Sequence, residues 1–184
     1  MLIDRQHSML LVVDMQTRLL PAIHDHQAVV EGVSWLIAAA KLMNVPVLAT
    51  EQNPAGLGPT LPEIAALLPP RSQAIPGKLE FSCAAGRCFD GSASPERQQV
   101  VVCGIEAHVC VLQTAIELHA RGRNVFVVAD AIGSRKVADR DLALSRLAAC
   151  GVYVVSREMV GFEWLRAAGS DEFRAFSKAL LKST

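Results

Sequence analysis

Short apolar runs alternate along this chain with longer segments in which apolar residues recur at helical spacing. Met9 to Val13 is a continuous apolar run closed by Asp14, the pattern of a strand buried on both faces. Val45 to Thr50, Ser72 to Pro76, Val100 to Val102 (closed by Gly104), Asn124 to Asp130 and Val152 to Ser156 read as further strands. Between them, Gln27 to Asn44 carries Val29, Val33, Leu36, Ala40 and Met43 on one helical stripe. Leu61 to Leu68 predicts a short helix stopped by Pro69 and Pro70. From Val111 the period becomes helical again, with Leu112, Ala115, Ile116 and His119 on one face and Arg121-Gly122 as a cationic last turn and stop. Asp139 to Gly151 predicts another helix, Gly161 to Ala168 a short helical turn, and Asp171 to Lys182 a C-terminal helix with Phe173, Phe176 and Leu180 on one side.

Strand and helix alternate without an internal repeat or a linker. That predicts one α/β domain over residues 1–184: a doubly wound, six-stranded, mostly parallel sheet with helices on both faces. Gly56-Leu57-Gly58 lacks the third glycine and the helix opening of a dinucleotide fingerprint and reads as a turn. Residues 83–97 are small, polar and Gly/Pro-containing, the composition of a surface connection able to help close a pocket.

Composition narrows the classes. The 184 residues are 51% apolar, with 18 basic against 18 acidic side chains and no basic stripe, so neither nucleic acid nor an anionic membrane is expected as the main partner. The Met9–Val13 run is too short for a signal-peptide core or a membrane span, and a soluble, cytoplasmic protein is expected. Five cysteines (Cys83, Cys88, Cys103, Cys110 and Cys150) are an odd number without framework spacing and read as reduced thiols. Cys83 and Cys88 have no second Cys or His pair at zinc spacing, and there is no C-x-x-C.

The chemistry gathers at strand ends. In a parallel sheet the carboxyl ends of the strands form the ligand-binding edge. Asp14 follows the first strand, Lys78 the third, and Cys110 lies in the few residues between the fourth strand and its helix. A thiolate is the nucleophile, and a helix N-terminus with a nearby cation can lower a cysteine pKa from about 8.5 to ~3.5–7.5. The same amides can hold an oxyanion forming on an attacked carbonyl. Alternatively, Cys110 is a small buried hydrophobe and Lys78 a solvated loop cation, the ordinary places of such residues.

With Asp14, Lys78 and Cys110 in that order, the chain resembles the isochorismatase-like cysteine hydrolases. The resemblance rests on VVDMQ (Val12 to Gln16), GKLEFSC (Gly77 to Cys83) and VVCGIEAHVCVLQTA (Val101 to Ala115), and covers nearly the whole length. TEQNPAGLGPT and CGIEAHVCV are similar to the branch called isochorismatase domain-containing proteins. The resemblance implies a triad of Asp14, Lys78 and Cys110. It also implies a non-proline cis peptide joining Ile105 and Glu106, with the amides of Glu106 or Ala107 and of Cys110 as the oxyanion hole. The activity it implies is hydrolysis of a C–N bond in a small carboxamide or carbamoyl compound through a thioester. Gln16, Leu19, Glu51, Phe81, Ser82 and His108 are candidate substrate-binding residues, with His108 equally open to a structural role. Metal-dependent relatives carry Asp-x-His after the second strand, where this chain has Glu51-Gln52-Asn53, so no metal and no cofactor is expected. A homo-oligomer is expected from the family's habit. The alternative from another class is a non-catalytic domain that keeps the fold and works through protein association.

Overall fold

The structure, a computed structural model, describes residues 1–70, 75–84 and 97–181. Its strands are β1 (Ser8–Val13), β2 (Val47–Gln52), β3 (Gly77–Lys78), β4 (Gln99–Ile105), β5 (Asn124–Gly133) and β6 (Tyr153–Val155). They form one sheet in the order β3-β2-β1-β4-β5-β6, and every neighbouring pair is parallel. The helices are α1 (His26–Leu42), α2 (Pro54–Leu57), α3 (Pro62–Leu67), α4 (Leu112–Ala120), α5 (Val137–Ala149), α6 (Arg157–Leu165) and α7 (Asp171–Phe176). A π-helical turn, Ala107–Val111, precedes α4, and another, Ser177–Leu181, follows α7.

Strand alternation divides the core into two layers. Leu10 and Val12 of β1, with Val101, Cys103 and Ile105 of β4, face the layer built by Leu36 and Ile37 of α1, Trp164 of α6 and Phe176 of α7. Met9, Leu11 and Val13, with Val100 and Val102, face Ala115 and Leu118 of α4 and Leu147 of α5. Because both faces are covered, all six residues of β1 and all seven of β4 are buried, which is why these strands read as unbroken apolar runs.

β1 and β4 are adjacent in space, and the chain leaves them in opposite directions across the sheet, making the topological switch point where open α/β sheets bind ligands. At its top, Val13 pairs with Gly104. Gly104 has φ +111°, and a Cβ there would lie 2.1 Å from the Val13 carbonyl oxygen and 2.7 Å from its nitrogen. Only glycine lets the two backbones meet this closely in this conformation.

Several element ends differ from the sequence expectation. β2 continues past Thr50 to Gln52, and Lys78 lies within β3 rather than after it. Residues 72–74 of the expected third strand lie outside the described residues, as do Cys88 and most of the 83–97 connection. β5 runs on past its expected end at Asp130 to Gly133, beyond a register shift between Val102 and Gly104, because Ala131 and Ile132 are buried against the core. α6 begins at Arg157, where Ser156 caps the Met159 amide and so belongs to the helix start, not to the sixth strand.

Candidate active site

Asp14 is the first residue beyond β1, with φ 50° and no solvent exposure. The turn that it makes aims its carboxylate along the sheet edge at β2 and β3. Thr50 Oγ1 donates to Asp14 Oδ1 at 2.8 Å, and Lys78 Nζ donates to Asp14 Oδ2 at 2.7 Å. Lys78 Nζ also donates to Gln52 Oε1 at 2.7 Å and to the Phe81 carbonyl at 3.0 Å. The Asp14 and Lys78 side chains are 0% and 1% exposed. Neither charge would be tolerated alone at such depth, and each is the condition for the other.

Cys110 sits in the π-helical turn after β4, 4% exposed, in the same electrostatic neighbourhood as Asp14 and Lys78. Burial pushes its thiol up to about 12; the Asp14 charge adds to the rise, and the Lys78 charge opposes it. This reverses the expectation of an acidified thiol from helix-terminal placement. Desolvation outweighs the single nearby cation, whose charge Asp14 already neutralises. Both the burial and the neighbouring Asp14 favour the protonated thiol.

The peptide between Ile105 and Glu106 is cis. Glu106 and Ala107 are buried, and the Val109 and Val111 amides both donate to the Glu106 carbonyl, drawing the turn back over the end of β4. The β5–α5 connection fastens this turn from outside. Arg135 Nε donates to Glu106 Oε2 at 2.9 Å, and His108 Nδ1 lies 2.9 Å from Ser134 Oγ.

The six candidate substrate-binding residues divide. Gln16 is completely buried, and its amide is consumed by backbone: Nε2 donates to the Gln52 and Gly58 carbonyls, and Oε1 accepts from the Gln52 amide. It clamps the end of β2 and presents nothing to a ligand, correcting the pocket-lining expectation for that residue. Glu51 Oε1 is likewise taken by the Thr60 amide and hydroxyl, at 2.6 and 2.8 Å. Ser82 is buried, donating to Glu117 of α4 and accepting from the Ala84 amide. Leu19 is half-buried against the α1 layer of the core. Phe81 supplies its carbonyl to Lys78 while its ring is exposed, and His108 is half-buried on Ser134.

The sequence reading passed over Thr50 and Gln52. Two positions apart on one side of β2, they reach Asp14 and Lys78 respectively. Ending the strand at Thr50 hid that periodicity. It also passed over Thr114, one turn beyond Cys110, whose hydroxyl accepts from the Cys83 amide and ties the segment after β3 to α4. Among the described residues no three His, Cys, Asp or Glu side chains gather to hold a metal ion, and no helix is long and apolar enough to cross a membrane. Cys103, Cys110 and Cys150 are free thiols, the first two buried and the last exposed.

Comparison with known proteins agrees with this architecture. The family model described as Isochorismatase domain matches residues 8–159. Isochorismatase domain-containing protein 2 of Danio rerio is 39% identical over 175 residues, covering 94% of this chain and 86% of that protein. Among solved structures, the MAR1 ribonuclease of Caenorhabditis elegans aligns with a TM-score of 0.89 at 32% identity, covering 98% of this chain and 93% of that one. YcaC from Pseudomonas aeruginosa, solved with hexane-2,5-diol and covalent acrylamide, aligns with a TM-score of 0.89 at 26% identity, covering 99% and 93%.

Proposed function

This chain belongs to the isochorismatase domain family, and we propose that within it the chain is a cysteine hydrolase cleaving the C–N bond of a small carboxamide or carbamoyl compound through a thioester. The observation that carries the proposal is the buried Asp14–Lys78 pair, 2.7 Å apart, set against a buried thiol at the switch point of the sheet. Burying two charges in one place is costly, and such pairs gather at sites that use them.

Because burial and Asp14 favour the protonated Cys110 thiol, attack and proton removal are coupled. As Sγ bonds to the substrate carbonyl carbon, its proton passes to Asp14 and the carbonyl π pair moves onto oxygen. The amides of Glu106 or Ala107 and of Cys110, at the start of the turn where backbone N–H groups lack intrahelical partners, receive that oxyanion. Collapse breaks the C–N bond, and the proton held by Asp14 goes to the departing nitrogen, releasing ammonia or an amine. Water then attacks the thioester with Asp14 again accepting a proton, freeing the acid and the thiol. Lys78 stays protonated throughout as the fixed counter-charge that keeps Asp14 ready to accept.

A covalent acrylamide in the YcaC relative supports the nucleophilic half of the reading; acrylamide adds through its alkene carbon and keeps its amide, so the C–N step rests on the test below. The Caenorhabditis elegans relative is named a ribonuclease, but the 18 to 18 charge balance of this chain provides no excess of cations for a polyanion. The test is a panel of primary carboxamides and N-carbamoyl compounds, with single-stranded RNA alongside. The expected result is ammonia release matched by acid formation, diverted to a hydroxamate by added hydroxylamine, and abolished in Asp14→Asn. An inert amide panel, with the RNA degraded or intact, would overturn the proposal.

A further inference from the structure

An ammonium has three N–H donors. Lys78 spends all of them within the protein, on Asp14 Oδ2, Gln52 Oε1 and the Phe81 carbonyl, at 2.7, 2.7 and 3.0 Å. These three acceptors fix the ammonium in place, and from there its charge and a side-chain hydrogen bond both oppose the upward push on the Cys110 thiol. Of its three acceptors only Asp14 is ionised.

From this arrangement we infer that Gln52 is a positioning residue of the reacting site: its neutral amide oxygen holds the Lys78 ammonium against Asp14 without supplying a second anion to compete for it. The inference rests on the cysteine-hydrolase reading and extends it to a residue two positions beyond Thr50, on the same side of β2. Gln52 pairs directly with Lys78 across the parallel β2–β3 ladder. Its Nε2 donates to the Leu79 carbonyl at 2.8 Å, which leaves Oε1 to face the lysine. Its own backbone is gripped on both sides by the Gln16 amide, at 2.7 and 3.0 Å. The chain of support thus runs from Gln16 through Gln52 to Lys78 and Asp14, with Thr50 closing it on the other carboxylate oxygen.

Neutrality is the functional point. The positive charge of Lys78 opposes the upward push on the Cys110 thiol. A carboxylate at position 52 would keep a hydrogen-bond acceptor on Lys78 and nearly the same shape, yet cancel the charge that favours sulfur attack. A residue needed only for hydrogen bonding or packing would in that exchange lose stability through the missing donor to the Leu79 carbonyl and leave the Cys110 alkylation rate alone. A residue that keeps the ammonium's charge available would lower that rate.

The experiment compares wild type, Gln52→Glu and Gln52→Met in the full-length protein. Two rates are read: alkylation of Cys110 by iodoacetamide at pH 9, resolved by peptide mass mapping, and turnover of whichever amide the panel identifies. For Gln52→Glu the expected result is a fall of about tenfold or more in both the alkylation rate and kcat, one pKa unit of lost thiolate stabilisation, with KM within about twofold and unfolding temperature near that of wild type. Gln52→Met, which frees the lysine, is expected to show the same kcat loss at unchanged KM. Gln52→Glu, folded and alkylating within about twofold of wild type, overturns the inference, as does Gln52→Met, folded and turning over with wild-type kcat. The alkylation arm needs no substrate, so an inert amide panel would sink the proposed function while still deciding the role of Gln52.

Discussion

Cys110→Ala is expected to abolish amide turnover, by about 10⁴-fold or more, while leaving the fold in place. The size of the loss follows from the covalent route. With sulfur gone no atom remains to take the acyl group, and Asp14 and Lys78 can act only on water. The fold survives because the change deletes one buried heavy atom from the π-helical turn and leaves a cavity near methyl size, at a cost of about 1 kcal/mol. The Asp14–Lys78 hydrogen bond is untouched, since Thr50, Gln52 and Phe81 hold it without help from the thiol. Ammonia release and a thermal melt, measured on one preparation, check both halves. Turnover retained to within a few percent of wild type would move the nucleophile elsewhere.

Gly104→Ala is expected to carry the largest stability cost of any glycine-to-alanine change among the described residues, more than about 4 kcal/mol. The new Cβ would lie 2.1 Å from the Val13 carbonyl oxygen, 2.7 Å from its nitrogen and 2.9 Å from its carbonyl carbon, all backbone atoms of an adjacent core strand that has no room to retreat. The φ of +111° adds strain for any L side chain. A loss of that size in a domain of this length corresponds to a fall of roughly 8–16 °C in unfolding temperature, or to failure to accumulate as soluble protein. Gly122→Ala is the matched control. It also has positive φ, but nothing lies within 4 Å of the added carbon, so its cost is about 1 kcal/mol. Equal melting temperatures for the two variants would show that the β1–β4 approach is not tight.

Much of the architecture was legible because its signals are local. Residues 9–13 and 100–102 read as strands buried on both faces, and the sheet covers them on both faces. The α1 stripe of Val29, Val33, Leu36, Ala40 and Met43 is buried along its length. Asp14, Lys78 and Cys110 were placed at one sheet edge from their positions after strands alone, and the structure brings them together there. What escaped the sequence is what depends on partners distant in the chain. Gln16 has the composition of a pocket residue, and only the fold shows its amide spent on the backbone of residues 52 and 58. Thr50 and Gln52 sit where an apolar strand turns polar. A strand end and a buried polar relay look alike until the neighbouring strand is known. The protonation of Cys110 escaped for the same reason. Helix-terminal placement is visible in sequence and argues for a lowered pKa, whereas depth of burial is a property of the assembled core and reverses the sign.

The central claim is that Asp14, Lys78 and Cys110 act as one electrostatic unit, and the dependence of Cys110 alkylation on pH tests it most directly. The measurement is the iodoacetamide rate at Cys110 from pH 6 to 11, by mass mapping, in wild type and Asp14→Asn, with exposed Cys150 as the internal standard. In wild type the rate should still be climbing above pH 10, because the thiol is pushed up to about 12 by burial and by Asp14. Asp14→Asn removes the anion and leaves Lys78 unopposed. The climb should then move to lower pH and the rate at pH 8 rise by about tenfold or more, even as amide turnover is lost with the base. A wild-type rate that levels off below about pH 8.5, the range of a free thiol, and is indifferent to Asp14→Asn would contradict the account.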